Sequence, residues 1–299
     1  LTGNTLTYFG IKNQAMIQGD VVFIDKYITL RTQQISYNLK TNIASYPFFG
    51  EIVDSEKKIS SQKGKYYTNN HTFIFTDSVK VLAKDYEIIT EAMHYNSNKE
   101  VTYFLGPSYI IFTNEKIYCE NGWHNAKTQT SQFQKNAYIL TKDYLLKGDS
   151  IYYNKKTRYA KTINNVELID KKQKITIFGG FGEYFEDQEI AEITQIPFLQ
   201  LLTKDDTLFM HANKFVSHKK NNNHKITAYN KVKFFKTDLQ GKCDSLNYNT
   251  KDSRIKMFKK PILWSNEFQI TSDSIEFIIK EGEIKQLLLK SMPMIIKAE

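Results

Sequence analysis

The chain of 299 residues is poor in cysteine and proline and has no long apolar run. Its two cysteines, Cys119 and Cys243, are too few for a disulfide scaffold and lack a metal-binding spacing. No stretch of about 18 apolar residues exists, so no helix is expected to span a membrane. No charged-then-apolar leader follows Leu1, and we interpret the sequence as a processed chain whose targeting segment has been removed.

Residues that could carry chemistry are scattered rather than clustered. The six histidines form neither H-x-H nor H-E-x-x-H, so no metal site is predicted. Residues 179–182 read G-G-F-G, but no helical pattern follows them, which indicates a kink in a sheet rather than a phosphate-binding loop. We therefore predict no catalytic residue, no metal and no cofactor, and expect a protein that is not an enzyme.

Tyrosine, phenylalanine and lysine are abundant. The chain has 19 Tyr and 20 Phe, and its many Asn, Lys, Thr and Tyr residues favour strands and turns over long helices. The net charge of +9 fits a soluble protein, and it also fits attraction to nucleic acid or to a phosphate-bearing lipid surface. Because the lysines are spread along the whole chain, we do not expect a nucleic-acid partner.

A short motif recurs along the chain. Residues 244–248 read D-S-L-N-Y, residues 273–277 read D-S-I-E-F, and weaker copies precede them. Their last positions fall at 37, 67, 95, 125, 153, 185, 217, 248 and 277, a spacing of about thirty that is typical of a repeat array. Between these marks lies a second pattern, a turn residue followed by alternating apolar residues, as in residues 77–81 and 230–234. The sequence thus predicts about nine two-strand repeats, joined by turns in which Asn supplies left-handed backbone.

The array has ragged ends. It begins part-way through a repeat, and the apolar segment 292–296 stops mid-repeat, either as an edge strand at a junction or because the protein continues. We expect one elongated domain over residues 1–299, truncated at both ends.

The columns of the repeat predict one apolar and one wet face. The tyrosine column and the column two residues before it share an apolar face, and the column between them faces solvent: Ser36, Tyr66, His94, His124, Tyr152, Asn247 and Glu276. A sheet with one apolar face must fold over on itself, so the predicted fold class is all-β, an elongated antiparallel jelly-roll or V-shaped trough. Its predicted lining residues are Ile35, Tyr37, Val79, Met93, Tyr95, Ile151, Tyr153, Val166, Phe215, Val232, Leu246, Tyr248, Ile262, Ile275 and Phe277.

The acidic column of the motif is interpreted as structural. Asp149, Asp244 and Asp273 recur with the repeat, whereas catalytic carboxylates come as a single pair. The small residues just before them indicate a bend or bulge. The two cysteines lie four repeats apart, at least about 19 Å in a sheet, so no disulfide between them is expected.

The two patterns together resemble the OstA or LptA type of repeat, from the periplasmic jelly-roll proteins of lipopolysaccharide transport. The best matches are residues 243–264, 273–277, 149–168 and 91–111, and nine repeats resemble the extended OstA-like proteins of Bacteroidetes-type bacteria. The resemblance implies a periplasmic carrier whose groove holds the acyl chains of lipopolysaccharide or lipooligosaccharide. It also implies partners of the same jelly-roll type, or further copies of itself, joined end to end through strand edges.

Two other classes stay open at the level of sequence. A β-solenoid enzyme acting on polysaccharides would need parallel strands in closed coils, whereas a carrier needs antiparallel ones. A surface scaffold would have the same repeats without a groove that takes lipid.

Overall fold

The computed structural model describes residues 1–25, 28–53, 57–203, 206–220, 223–280 and 283–297. Most of these residues lie in β-strands, and the two helical segments are single 3₁₀ turns, Gly10–Lys12 and Glu186–Gln188. The chain divides into two compact units, Leu1–Lys142 and Asp143–Glu299. One domain over the whole chain stays a prediction.

The first unit holds strands β1 to β12. They are β1 Thr5–Phe9, β2 Gln14–Asp25, β3 Ile28–Asn38, β4 Ile43–Tyr46, β5 Gly50–Val53, β6 Lys57–Ser61, β7 Lys63–Tyr67, β8 Thr72–Ala83, β9 Tyr86–Asn96, β10 Val101–Phe112, β11 Glu115–Asn125 and β12 Thr130–Thr141.

The second unit holds strands β13 to β27. They are β13 Tyr144–Asn154, β14 Tyr159–Asp170, β15 Ile175–Phe185, β16 Ile190–Thr194, β17 Phe198–Leu202, β18 Thr207–His211, β19 Lys214–Lys220, β20 Asn223–Lys236, β21 Leu239–Asn249, β22 Arg254–Phe258, β23 Ile262–Ser265, β24 Phe268–Thr271, β25 Ser274–Lys280, β26 Glu283–Lys290 and β27 Met294–Lys297.

The predicted antiparallel all-β fold is confirmed. Sequence neighbours pair antiparallel in both units, for example β9 with β10 and β20 with β21. Strands β8, β10, β12 and β14 start 29 residues apart, which is the predicted two-strand repeat. Because the strands are antiparallel, the parallel coils of a β-solenoid are excluded.

The asparagines of the turns have a different role from the predicted one. Asn96, Asn154 and Asn249 end their strands, and their side-chain oxygens accept backbone N–H groups two or three residues further on. The left-handed residue is the last one of the turn, such as Glu100 or Arg158. Asn is thus used here as a side-chain acceptor that closes the turn.

Every long even-numbered strand of the repeat bends in its middle. At the bend two successive residues have a left-handed backbone, as in Asp77-Ser78 and Asn164-Asn165, or Gly106 is followed by proline. The pairing shifts by one residue there, so the strand carries a β-bulge. The residue after the bulge is buried, as Val79 and Val166 are.

The bends fold each unit into two layers. Layer A contains β4, β7, β16, β19, β22 and β25, and layer B contains β5, β6, β17, β18, β23 and β24. The long strands run through both: residues 175–178 of β15 pair with β17, and residues 181–185 pair with β16. The change of partner falls at the G-G-F-G segment, where the sequence predicts a kink. The result in each unit is a jelly-roll.

The space between the two layers is filled by apolar side chains. In the first unit Phe75, Val79 and Phe104 are almost fully buried. In the second unit one continuous core joins residues of both layers, among them Phe215, Leu246, Leu263 and Ile275. Burial of this single inner face is what holds the layers together.

Candidate functional site

The strand pairing shows which side chains face the interior, because residues directly opposite in an antiparallel pair project to the same side. Next to the outer end of layer A, such pairs connect one row in each unit, which we call the tyrosine row. In the first unit the row reads Tyr37, Ala44, Tyr66, Phe73, Tyr95, Thr102, His124 and Ser131. In the second unit it reads Tyr153, Ala160, Tyr184, Ala191, Ser217, Ile226, Tyr248, Ile255, Phe277 and Leu287.

The tyrosine row lies between the core and the mouth, by which we mean the opening between the outer ends of layers A and B, opposite the bulges. Its tyrosines are half-buried or slightly more exposed, and their hydroxyls reach polar groups: Tyr37 donates to Asn42 at 2.9 Å and Tyr153 to Glu186 at 3.1 Å. Tyrosine has an apolar ring and a polar tip, so it suits a boundary between an apolar and a wet region.

Fourteen of the fifteen predicted lining residues face the interior. Ten are buried: Ile35, Val79, Met93, Ile151, Val166, Phe215, Val232, Leu246, Ile275 and Phe277. Tyr37, Tyr95, Tyr153 and Tyr248 are half-buried in the tyrosine row. Their contact with lipid stays a prediction.

Ile262 is the exception, and its assignment to the inner face is wrong. Ile262 lies opposite Lys242, whereas Leu263 lies opposite Gly241 on the inner face and is fully buried. The reason is the bulge at Lys259-Lys260, after which Pro261 is the first buried residue. Pro261 thus takes the position that Val232 has in the preceding repeat, and the side chains alternate from there.

Two residues predicted to face solvent lie in the tyrosine row instead. Tyr66 stacks on Phe73 with ring centroids 4.1 Å apart, and His124 lies opposite Thr102. A signal for both was present in the sequence, because positions 37, 66, 95, 124 and 153 are spaced by 29 residues. The thirty-residue spacing had selected Tyr67 and Asn125.

The outer face carries the remaining predicted solvent-facing residues. Lys161 stands over the ring of Tyr152 at 5.5 Å, and Arg254 and Lys256 pair with Glu276. Burial alone would raise the pKa of Glu276, but hydrogen bonds from these two cations bring it below its usual value. This face is held by polar pairs, in contrast to the apolar interior.

The acidic column fastens the bulges. Asp149 accepts hydrogen bonds from Asn165 at 3.0 and 3.1 Å, and Glu120 accepts one from Asn136 at 2.8 Å. Each donor is a bulge residue of the next strand. This geometry favours the structural interpretation of the column.

The interior as described is closely packed. A cavity between the layers of the first unit, lined by Leu30, Ile52 and Phe75 among others, has a volume of about 20 Å³, space for one water at most. Cys119 and Cys243 are free and buried, and burial raises the pKa of both thiols to about 12. An acyl chain would have to separate the layers or displace side chains to enter.

Fold and site together define an all-β jelly-roll protein with an apolar interior and an amphipathic mouth. Comparison with protein families gives the particular type. A family described as "OstA-like protein" matches residues 1–91, and one described as "LptA/(LptD N-terminal domain) LPS transport protein" matches residues 202–283. The predicted resemblance is confirmed, and the chain is an OstA/LptA-like protein of the lipopolysaccharide-transport type.

Other comparisons add little. No curated protein matches the chain. Among solved structures, LptH, the LptA-homologous periplasmic component of the lipopolysaccharide transport device of Pseudomonas aeruginosa, aligns with 48% of this chain and 81% of its own. Its identity is 8% and its TM-score 0.26. Within the described residues, no helix has the length and hydropathy needed to cross a bilayer.

Proposed function

We propose that this protein is a non-enzymatic periplasmic carrier that shields the acyl chains of lipopolysaccharide or lipooligosaccharide between layers A and B during transport to the outer membrane. The observation that carries the proposal is the inner face of each unit, which is apolar from strand to strand and bordered by the tyrosine row. The two family matches supply the lipid class.

The repeated inner face suits a moving lipid. Each methylene transferred from water to this face contributes about 0.8 kcal/mol. Since equivalent inner positions recur from one strand to the next, about 4.8 Å apart, an acyl chain can advance while most of its contacts persist. The tyrosine row would then meet the lipid where acyl chains join the sugar head group, and head-group phosphates would lie among the lysines of a chain with net charge +9.

Photo-crosslinking tests the proposal. A benzoylphenylalanine placed at Tyr95, Tyr153 or Tyr248 should form an adduct with purified lipopolysaccharide, because these half-buried positions border the interior and tolerate a larger ring better than the core does. His94 and Tyr152, one residue away on the outer face, are the matched controls, and we expect at least tenfold less adduct there.

Equal adduct yields at inner and outer positions would contradict a shielded acyl chain. No adduct at any position would favour the remaining alternative, a surface scaffold whose inner face is only a packed core.

The strand edges support the second part of the proposal, which is end-to-end association with jelly-roll proteins of the same type or with further copies. Among the described residues β1 pairs with β2 and β26 with β25, so each has an outer edge that can accept another strand. Leu6 and Tyr8 on β1 are 68% and 58% exposed, more than an interior row allows.

A charge on this edge should block self-association. Leu6→Lys places a cation at an inward position of the edge strand, a change that disfavours strand addition. We expect the sedimentation coefficient of this variant to lose its dependence on protein concentration. Thr7→Lys, on the other face of β1, is the control and should leave association intact. Association of the Leu6→Lys variant at unchanged strength would exclude this edge as the contact.

A further inference from the structure

Four side chains bridge the mouth of the second unit. Lys219 and His224 lie opposite each other on β19 and β20 of layer A. Tyr144 and Asp170 lie opposite each other on β13 and β14, at the outer end of layer B. These two pairs come from different layers, yet they meet.

The contacts between the pairs are close and partly buried. The ammonium group of Lys219 lies 3.5 Å from the Tyr144 hydroxyl and 5.4 Å from the centre of its ring. His224 Nδ1 lies 3.6 Å from Asp170 Oδ2, with side-chain exposures of only 11% and 8%. We call this group of four the clasp.

The surroundings fix the charges of the clasp. Tyr144 raises the pKa of Lys219, so its ammonium group stays charged. Burial lowers the pKa of His224, although Asp170 opposes this. His224 is therefore neutral near pH 7, and the clasp is joined by polar contacts weaker than a full buried ion pair. Asp170 also accepts the backbone N–H of Gln173 at 2.9 Å, which anchors it to layer B.

Ser217 completes a set of residue types found in hydrolases. Its hydroxyl lies 2.7 Å from His224 Nε2. The distance from His224 Nδ1 to Asp170, however, exceeds a hydrogen bond, and Ser217 lies within a regular strand. The arrangement fits a contact between layers better than a nucleophile.

The core lies directly beneath the clasp. Ile226, two residues from His224, belongs to the core of the second unit, and Leu168, two residues from Asp170, packs against it. The first unit has a simpler counterpart, in which Lys57 of layer B stands 4.8 Å over the ring of Tyr95 of layer A.

From this geometry we propose that the clasp is an entry gate for the acyl chains of a phosphorylated glycolipid. Lys219 and His224 must separate from Tyr144 and Asp170 before a chain can pass from the mouth into the core of the second unit. The gate regulates the groove proposed above and so depends on that proposal. Polar contacts that exchange readily with water close the mouth while the interior is packed, and they part at low cost when an amphiphile arrives.

A covalent bridge across the clasp tests the gate. In the full chain, Tyr144→Cys and Lys219→Cys are joined by a short bismaleimide, while benzoylphenylalanine at Tyr248 reports lipopolysaccharide in the second unit. The two native thiols are buried with a pKa of about 12, so they react poorly. The matched control joins Tyr152→Cys to Lys161→Cys, an opposed pair on the outer face of layer A.

We expect bridging of the clasp to lower the adduct yield at least tenfold, and bridging of the control pair to leave it unchanged. If the bridged clasp takes up lipid as well as the unbridged variant does, the gate is wrong while the carrier proposal stands. If the unbridged variants and the natural sequence all give no adduct, the carrier proposal itself fails, and the gate with it.

A second variant does not depend on the bridge. Lys219→Met keeps an unbranched side chain and removes the contact to the Tyr144 hydroxyl. We expect adduct at Tyr248 to form several-fold faster than in the natural sequence, with an unchanged circular dichroism spectrum. An unchanged rate would overturn the gate.

Discussion

Replacing Leu263 by alanine should lower the free energy of unfolding by about 2–5 kcal/mol, the range for a buried leucine that leaves a cavity. Leu263 is fully buried in the core of the second unit. Its neighbour Ile262 faces outward beside Lys242, so Ile262→Ala should cost no more than about 1 kcal/mol, as is usual for residues near the surface.

Urea denaturation of the two variants measures this difference directly. The pair is a sharp test because the side chains are of equal size, adjacent and in the same short strand. If Ile262→Ala proves the more damaging, the face assignment of β23 and the position of the bulge before it are wrong.

Replacing Tyr46 by alanine should have an effect of similar size in the first unit, about 3–5 kcal/mol as for other large aromatic residues. Tyr46 is buried, its ring lies against Gly50 and Gly64, and its hydroxyl is 2.6 Å from that of Ser61. The ring thus connects β4 of layer A to β6 of layer B. Thermal or urea unfolding monitored by circular dichroism checks the loss.

Tyr46→Phe separates the ring from the hydroxyl. It should cost only about 1 kcal/mol, the usual value of one hydrogen bond, because Ser61 keeps the backbone oxygen of Lys63 as an acceptor. A loss as large as that of the alanine variant would mean that the hydroxyl, rather than the packing of the ring, joins the layers.

The same variant changes the pH dependence. Burial raises the pKa of Tyr46 from 10.0 to about 12, against the effect of Ser61. Between pH 10 and 12 the unfolded chain releases this proton while the folded chain keeps it, so stability should fall with rising pH. In Tyr46→Phe the corresponding slope should be smaller by up to one proton; an identical slope would contradict the pKa of the buried hydroxyl.

The repeat could be predicted because it is written in residue types. Alternation of apolar and polar residues defines a strand with one buried face, and the recurring aromatic positions give the number of strands and their order. Tyr95 and Tyr153 were placed on the inner face in this way. The predicted trough, though, is closely packed where its cavity is described, and side-chain packing cannot be read from a periodic pattern.

The errors arise at the bulges. Each bulge adds one residue to one strand of a pair, which moves all later side chains to the opposite face. Where the bulge is Asn164-Asn165 its sequence looks like a turn, but Lys259-Lys260 followed by proline does not, and Ile262 was misplaced for that reason.

The clasp left no signal in the sequence. Asp170 and His224 are 54 residues apart, and they meet only because the bends bring the outer ends of the two layers together. Such contacts depend on the angle between the layers, which the pairing pattern does not fix.

The bulges also bear on how such a chain changes length. Since residues 72, 101 and 130 begin equivalent strands, a loss or duplication of one 29-residue block would join a strand to its own equivalent and leave every other pairing intact. In repeat folds the energy is mostly a sum over neighbours, so one block more or less changes stability by a fixed step. Evolution can thus set the reach of the molecule in whole blocks, each about two strand widths long.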